Sequence, residues 1–169
     1  MINRPQPDEY SAYAARYVDL VGNDPIMEIL ERQKNASWDF FTKIEPDKAA
    51  YAYAAGKWTI KQVLGHMADT ERVFAYRALV FSREQITLPG FDQDVYMVQA
   101  TFNSRPLEDI ANEFKTVRES SLYLFRSMSE QQSIQKGIAS GNPFSVRAYA
   151  YMIAGHELHH MKILNERYF

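Results

Sequence analysis

The sequence predicts an all-α protein whose 169 residues form a single four-helix-bundle domain. Long stretches with helical periodicity lie between the seven prolines and contain few glycines. No segment shows the sustained alternation of apolar and polar residues that marks strands. Four long helices in one domain of this length are typical of a four-helix bundle. We therefore expect helices without a sheet.

The first long helix follows a short N-terminal one. Helical periodicity over residues 8–20 predicts a short helix, which we expect to lie on the end of the bundle. Asp24 then has the residue type of an N-cap, because its side chain can accept a hydrogen bond from a free backbone N–H of the first turn. Pro25 suits the first helical position, because proline has no backbone N–H that would need a partner there. Apolar residues at helical spacing continue this helix to about Ile44.

The second and third long helices are marked by their first residues. Thr59 and Gln62 form the T-x-x-Q pattern of a capping box, and the helix that they open runs to about Ser82. Pro106 opens the third helix, whose apolar residues face inward as far as Phe125. The second helix carries the first histidine of the chain, and the third carries none.

The fourth long helix and the connections predict the topology. Ser145 has the residue type of an N-cap, and the helix after it runs to about Tyr168. About 14 residues join the first two long helices and about 16 join the last two, but about 22, residues 82–103, separate the second from the third. A connection of that length suits a crossover. We therefore expect an up-down-down-up bundle, with the second and third helices parallel and the second and fourth antiparallel.

The composition excludes several classes of function. The chain has no cysteine, so disulfides, thiolate metal sites and a nucleophilic protein thiol are ruled out. A formal charge of −2 and the lack of a Lys/Arg cluster provide no basic surface for nucleic acid. The N-terminal segment has no apolar signal region, and no apolar run approaches the about 20 residues that span a bilayer. We expect a cytoplasmic protein with neither a nucleic-acid nor a membrane partner.

All four histidines fall on the second and fourth long helices. His156 and His160 are about 40° apart around a helix, so their imidazoles project from one face and can chelate one divalent ion. His156 and His159 form a weaker alternative pair, about 60° apart. His66 lies about 10 Å into the second helix, and His160 lies about 12 Å from the end of the fourth. In antiparallel helices these depths match, which predicts a metal site of His66, His156 and His160.

Residues 156–160 read H-E-L-H-H and so fit H-E-x-x-H, the zinc-protease motif. Such a protease needs a third ligand, which in one class is a Glu on a later helix and in another a His beyond a glycine turn. Only nine residues follow His160. Ile163 stands at the glycine position and Glu166 at the third-ligand position, and nothing breaks the helix between them. We reject the protease because the third ligand must come from upstream, where His66 is the other histidine.

A glycine precedes two of the histidines, at Gly65 and Gly155. A glycine within a helix costs about 1 kcal/mol relative to alanine, so a packing reason is expected. A residue without a side chain lets two helices approach each other closely beside the metal. We therefore expect close helix–helix contacts at both positions.

Three segments resemble the DinB-like superfamily, the metal-binding four-helix bundles that include the YfiT-type proteins. They read KWTIKQVLGHMADTERVFAYRAL at residues 57–79, LPGFDQD at 88–94 and SVRAYAYMIAGHELHHMKILNERY at 145–168. The family pattern is one histidine early in the second helix and H-x-x-x-H in the fourth, which maps onto His66, His156 and His160. The resemblance therefore implies the same fold and the same three metal ligands.

The resemblance also implies a class of reaction. The family includes transferases that use bacillithiol, mycothiol or related thiols, a maleylpyruvate isomerase and many proteins of unknown activity. Three neutral imidazoles leave a tetrahedral ion with an open position, as in catalytic sites. We expect one divalent ion, zinc or nickel, and a low-molecular-weight thiol as co-substrate that attacks a small-molecule electrophile. The alternatives are metal-dependent hydrolysis and a non-catalytic metal- or small-molecule-binding bundle, and a homodimer is left open.

Other polar side chains are candidates for a cleft around the metal. Arg77 lies eleven residues after His66 and about 20° away on the same helix face, where it could receive an anionic group or pair with an acidic core neighbour. Asp69 could orient a ligand imidazole or balance surface charge. Tyr149 shares the inward stripe of the fourth helix and could line the cleft. The segment FDQD, residues 91–94, either closes over the site or caps a short helix.

Overall fold

The computed structural model describes residues 2–169 as a helical bundle with a small sheet. The helices are α1 (Ala12–Val18), α2 (Ile26–Thr42), α3 (Pro46–Ala49), α4 (Ile60–Phe81), α5 (Gln93–Gln99), α6 (Leu107–Arg126), α7 (Glu130–Ser133) and α8 (Val146–Arg167). Short 3₁₀ turns occupy Pro7–Glu9 and Phe102–Ser104. Within residues 2–169, none of these helices is both long and apolar enough to cross a membrane.

The apolar core is divided into two halves, and the division gives the direction of each long helix. One half holds the first residues of α2 and α8 with the last residues of α4 and α6, among them Leu30, Val146, Phe81 and Phe125. The other half holds the opposite ends, among them Phe41, Leu164, Leu64 and Phe114. So α2 and α8 run one way, and α4 and α6 run the other. The all-α bundle and its up-down-down-up order are confirmed, with the crossover making α4 and α6 parallel.

Two predicted helix starts are confirmed by their caps. Thr59 Oγ1 accepts a hydrogen bond from the Gln62 backbone N–H at 3.2 Å, while the Gln62 side chain accepts one from the Thr59 backbone N–H at 3.0 Å. At the start of α8, Ser145 Oγ accepts a bond from the Ala148 backbone N–H at 3.1 Å. These side chains satisfy donors that have no partner within the helix, and they fix the ends from which the histidine depths are counted.

The predicted start of α2 is wrong by one residue. Pro25 is the N-cap, with an extended ψ of 129°, and the helix begins at Ile26. Asp24 therefore caps nothing, and its carboxylate accepts a hydrogen bond from Arg32 at 3.0 Å instead. The proline ring fixes only φ, so Pro25 can stand outside the helix as readily as within it.

The structure corrects the expectation of a protein without a sheet. Strands β2 (Lys136–Ala139) and β3 (Asn142–Ser145) form an antiparallel hairpin, and β1 (Thr87–Leu88) pairs parallel with β2. The two turn residues, Ser140 and Gly141, both have positive φ, 52° and 76°, as a type I′ hairpin turn requires. The strands are two to four residues long, too short to show sustained alternation in the sequence.

The short N-terminal helix is present but does not lie on the end of the bundle as expected. Helix α1 packs against the middle of α8. Its Tyr17 ring contacts the rings of His156 and His159 edge-on, with centroids 5.4 Å and 5.5 Å apart. Helix α1 is therefore one wall of the histidine region.

A layer of buried polar side chains lies between the two apolar halves. Every long helix contributes to it: Gln33 and Ser37 from α2, His66, Thr70 and Glu71 from α4, Arg118 and Ser121 from α6, and His156 and Glu157 from α8. Buried polar groups must bond to one another or to a ligand, because leaving them unpaired costs free energy. The pairing within this layer separates the groups that hold the fold from those that are available to a ligand.

Candidate metal centre

Three histidines converge where α4 and α8 pass through the polar layer. The Nε2 atom of His156 lies 3.1 Å from Nε2 of His66 and 3.0 Å from Nε2 of His160. We name these three residues the histidine cluster, and their ligand atoms all lie within 4.8 Å of one another. A tetrahedral ion with bonds of about 2.05 Å to imidazole separates its ligand nitrogens by about 3.3 Å. The cluster therefore has the dimensions of a ligand set for one divalent ion.

Burial keeps these imidazoles neutral. Burial, with smaller contributions from neighbouring charged groups, lowers the pKa of His66 to about 4 and that of His160 to about 3. Burial and the adjacent histidines also hold the pKa of His156 well below its usual value. A metal ligand must be the neutral imidazole with a free lone pair. At neutral pH the cluster meets that requirement without losing a proton.

Aromatic and hydroxyl groups hold the imidazoles in place. The Trp58 ring lies against that of His66, with centroids 4.8 Å apart. Thr70 Oγ1 lies 3.4 Å from Nδ1 of His66, and the Tyr17 ring covers one edge of His156. A partner at Nδ1 sets the ring orientation and leaves Nε2 for the ligand.

A cleft of about 490 Å³ opens onto the cluster. His66 and His156 form part of its wall, together with residues of α1, the crossover and the hairpin turn. Its aromatic residues are Tyr13, Tyr17, Phe74, Phe91 and Phe144, and its other polar residues are Ser11, Thr70, Arg77, Asp92, Gln93, Ser140 and Asn142. A cleft of this size, apolar with a few polar groups, suits a small molecule.

A second polar group, centred on Arg118, fills the middle of the bundle beside the histidine cluster. Arg118 is fully buried on α6 and donates to Glu71 on α4 at 2.8 Å and 2.9 Å. It also donates to Glu157 on α8 at 2.7 Å, and Glu157 accepts a bond from the Ser37 hydroxyl of α2 at 2.5 Å. Gln33 lies within 3.5 Å of the guanidinium. We name these five residues the Arg118 cluster, which joins all four long helices.

The structure separates His159 from the other three histidines. Its ligand atoms are not among those that converge. Its half-buried ring packs instead against Tyr17, with centroids 5.5 Å apart. The geometry therefore favours the pair of His156 and His160 over the alternative pair of His156 and His159.

Two of the predicted cleft residues lie outside the cleft wall. Among the described residues Asp69 makes no hydrogen bond to a histidine, and its carboxylate accepts one from Arg72 at 3.3 Å, so the interpretation as surface-charge balance is the better one. Tyr149 is fully buried, with Phe144 stacked on it at 5.3 Å and Phe74 at 5.6 Å between centroids. Because those two phenylalanines line the cleft, Tyr149 lies behind the wall and supports it.

Arg77 and the FDQD segment do lie at the cleft. Arg77 is 6% exposed, lines the wall, and has no acidic partner among the described residues, which rules out the pairing with an acidic core neighbour. Phe91 and Asp92 line the wall as well. Asp92 Oδ1 also accepts bonds from two backbone N–H groups in the first turn of α5. The segment 91–94 therefore caps a short helix, as one alternative predicted, and it borders the cleft, while its closing over the site stays a prediction.

Sequence analysis missed the Arg118 cluster. An arginine among apolar residues of a helix suggests an exposed position. The residue types of Glu71 and Glu157 also do not predict that they are buried. One signal was available: Arg118 stands four residues after Phe114 and four before Leu122, at the spacing of one helix face. A charged residue at that position is buried only if an opposite charge meets it.

The glycines before the histidines have the expected packing role, but other partners. A Cβ on Gly155 would overlap the backbone carbonyl of Tyr17, and one on Gly65 would overlap the ring of Phe102. The close contacts are therefore with α1 and with the crossover, and not between α4 and α8. Each glycine lets a covering segment approach the histidine region.

The chain has recognisable relatives. A model described as the DinB superfamily matches residues 29–164, which is most of the chain. A protein of Oceanobacillus iheyensis, which is proposed to be a metal-dependent hydrolase, is 25% identical over 134 residues, or 78% of this chain and 77% of the relative.

The fold is shared with a solved structure. YfiT from Bacillus subtilis superposes with a TM-score of 0.72 at 14% identity, covering 97% of this chain and 90% of that chain. YfiT is likewise proposed to be a metal-dependent hydrolase, with an unusual four-helix bundle topology. At this level of identity the likeness concerns the fold alone.

Proposed function

The chain belongs to the DinB superfamily, and on this basis we propose that it is a metal-dependent enzyme whose ion is held by His66, His156 and His160. The observation that carries the proposal is the convergence of three neutral imidazoles at the wall of an open cleft. Two pairs of Nε2 atoms lie 3.0 Å and 3.1 Å apart, so one cation placed between them would accept a lone pair from each imidazole. Zinc or nickel suits imidazole ligands.

The residues around the proposed ion have separate tasks. When bound, the ion supplies a Lewis acid that lowers the pKa of a thiol or a water beside it. Trp58 and Tyr17 restrict the planes of two ligand imidazoles, and Thr70 holds Nδ1 of His66. The aromatic part of the wall binds an apolar small molecule and excludes water from it.

We propose that the reaction is transfer of a low-molecular-weight thiol to an electrophile. The chain has no cysteine, so a thiol must come from outside. Asp92 is the acidic residue of the described cleft wall, and its Oδ1 is used by the cap of α5. A metal ion can hold a bound thiol as the thiolate without a separate base. The cysteine-free chain and the proposed ion therefore support an external thiol as nucleophile.

Metal-dependent hydrolysis is the second candidate, because both similar proteins are themselves proposed to be metal-dependent hydrolases. The ion would lower the pKa of the attacking water, and Asp92, the acidic residue in the described cleft wall, could take up its proton. Replacing Asp92 with Asn should slow such a hydrolysis. The same replacement would leave thiol transfer largely intact, since a thiol needs no carboxylate base.

The experiment uses protein purified without an affinity tag and loaded with zinc or nickel. Bacillithiol and glutathione are tested as thiols with monochlorobimane as electrophile, and a panel of esters is tested without thiol. We expect turnover that requires both metal and thiol, stops with chelator and returns with the ion. The His66→Ala variant should be inactive and His159→Ala active.

Three other results would change the assignment. Equal rates in the parent and in His66→Ala would exclude the histidine cluster as the reaction site. Hydrolysis of esters without any thiol transfer would establish the second candidate. Stoichiometric metal with no turnover in either panel would leave a bundle that binds a metal or a small molecule without catalysis.

A further inference from the structure

Arg77 is a buried arginine without a carboxylate partner among residues 2–169. Its guanidinium lies in the cleft wall, and the residue is 6% exposed. Nη2 donates to the carbonyl oxygen of Pro89 at 2.8 Å and more weakly to the Ser140 hydroxyl at 3.5 Å. Both bonds use one nitrogen, so the Nε and Nη1 donors have no acceptor among the described residues. An arginine carries five N–H donors in a planar fork, and most of this fork is left for a ligand.

The other well-buried arginine of the bundle is neutralised. Arg118 bonds two carboxylates, those of Glu71 and Glu157. Arg147, whose side chain is 14% exposed, is likewise bonded to a carboxylate, that of Glu9. Removing a charge from water is costly unless an opposite charge meets it with good geometry. Arg77 departs from this pattern: it has no carboxylate partner among the described residues and borders the open cleft, from which an anion could reach it.

The nearest candidate within the wall does not supply that anion. Asp92 lies in the same wall, but its Oδ1 accepts bonds from the backbone N–H groups of Asp94 and Val95 at 2.8 Å and 3.2 Å. The ion pairs of the described residues do not include one between Asp92 and Arg77. The aspartate is thus committed to the cap of α5.

A second polar group near Arg77 also lacks a partner. The Tyr149 hydroxyl is fully buried and has no hydrogen-bond partner among the described residues. Burial raises the pKa of this hydroxyl above its usual value in spite of the Arg77 charge, so it keeps its proton. Because Tyr149 lies behind the wall, its hydroxyl does not contribute a donor to the cleft, and the free donors of Arg77 are what an anionic group would satisfy.

The wall of the cleft contains three kinds of side chain, of which Arg77 is one. Arg77 and His66 both lie on α4, eleven residues or about three turns apart and on the same face. The rings of Phe74, Phe91 and Phe144 also line the wall. The cleft therefore combines a histidine end, an aromatic lining and one cationic position.

We propose that the small molecule bound in this cleft carries a carboxylate, which Arg77 receives while an apolar body lies against the aromatic wall. This inference rests on the proposed function, which places the reacting atoms at the histidine cluster. A planar carboxylate matches the free fork of a guanidinium through two parallel bonds. The wall carries one cationic and one anionic side chain, Arg77 and Asp92, so it suits a monoanion better than a phosphate dianion.

The test measures binding and needs no turnover. The probes are 4-phenylbutyrate, its uncharged amide 4-phenylbutanamide, and phenyl phosphate, titrated by calorimetry into the purified protein. The titrations are repeated after chelator treatment. If the carboxylate binds the metal ion itself, it will no longer bind more tightly than the amide once the ion is removed. Arg77→Gln removes the charge, and Arg83→Gln makes the same change at an exposed position of the same segment.

We expect the carboxylate to bind the parent and Arg83→Gln at least about tenfold more tightly than the amide, with and without metal. The carboxylate and the amide should bind Arg77→Gln with equal affinity. Equal binding of carboxylate and amide to the parent would overturn the proposal, as would a preference that survives in folded Arg77→Gln. Tighter binding of phenyl phosphate would overturn the carboxylate assignment. Because these readouts do not involve turnover, their failure leaves the thiol and ester assays to be judged separately.

Discussion

The Arg118 cluster and the histidine cluster occupy the same polar layer, but their polar groups are paired in opposite ways. Each guanidinium nitrogen of Arg118 has an acceptor, provided by Glu71, Glu157 or the Leu30 carbonyl. In the histidine cluster, neutral ring nitrogens face one another. Buried ions that satisfy one another can hold helices together. Buried neutral bases whose nitrogens converge can share one cation, and so form a binding site.

One dipeptide of α8 serves both clusters. His156 and Glu157 are turned about 100° from each other around the helix, so the first points to the histidine cluster and the second to Arg118. Glu157 stands where H-E-x-x-H places a general base. Here that glutamate bonds Arg118 and Ser37 and joins three helices, so it is not placed as the general base of such a motif.

The largest effect on stability is expected from Arg118→Met. The change removes the one cation between two buried carboxylates, Glu71 and Glu157, and leaves them uncompensated. Breaking a buried pair in this way costs about 3–5 kcal/mol. Urea unfolding at neutral pH, followed by circular dichroism, measures the loss.

The matched control is Arg126→Met on the same helix. Arg126 bonds Glu31 at 2.7 Å, but its side chain is 51% exposed. Exposed pairs contribute about 0–1 kcal/mol, so this variant should unfold close to the parent. Similar losses in both variants would mean that the Arg118 cluster is no more important than a surface ion pair.

The next largest effect is an acid dependence of the metal-free protein. The pKa of His66 is about 4 in the folded chain, against 6.5 ordinarily. Above pH 6.5 both states hold the neutral imidazole and stability is complete. Below it the unfolded chain takes up the proton first, so stability falls until the pH passes the folded pKa. For His66 alone the free energy of unfolding falls by about 3 kcal/mol in total, at about 1.4 kcal/mol per pH unit.

The measurement is urea unfolding between pH 7 and pH 5 with chelator present, where few carboxylates titrate. The His66→Gln variant should show a shallower pH dependence than the parent. An unchanged slope in this variant, or a flat profile in the parent, would show that the imidazole of His66 is not held neutral by burial.

A smaller effect is expected where α1 covers the histidine cluster. In Gly155→Ala the new Cβ would overlap the Tyr17 carbonyl, a backbone atom that moves only with α1. Overpacking costs about 1–3 kcal/mol, and the better helix propensity of alanine returns about 1 kcal/mol. The net loss of about 0–2 kcal/mol is measured by thermal or urea unfolding. Gly22→Ala, whose Cβ would meet nothing within 4 Å, should be neutral, and a loss as large as that of Gly155→Ala would point to a cause other than the clash.

The features predicted correctly from the sequence are those with local causes. The capping box of Thr59 and Gln62 and the cap at Ser145 were readable because each rests on residues three apart. The length of residues 82–103 predicted a crossover, and the crossover in turn brought His66 to His156. Local signals and one loop length were enough to place the three histidines together.

The features that were missed depend on distant residues. The hairpin turn at Ser140 and Gly141 is a short signal, and the partner strand β1 lies far away in the chain. The burial of Arg118 depends on Glu71 and Glu157, 47 and 39 residues away. The sequence showed that Gly155 needed a packing partner, but α1 could be identified as that partner only from the fold.

The metal content of two neighbouring histidine variants tests the central claim most directly. His160→Gln and His159→Gln alter adjacent positions of α8 with the same change of residue, but only the first removes a nitrogen from the histidine cluster. Each protein is purified without a tag, equilibrated with zinc, dialysed and analysed for bound metal. We predict about one ion per chain in the parent and in His159→Gln, and little in His160→Gln, because the site needs its third ligand. A full site in His160→Gln together with an empty one in His159→Gln would contradict the account.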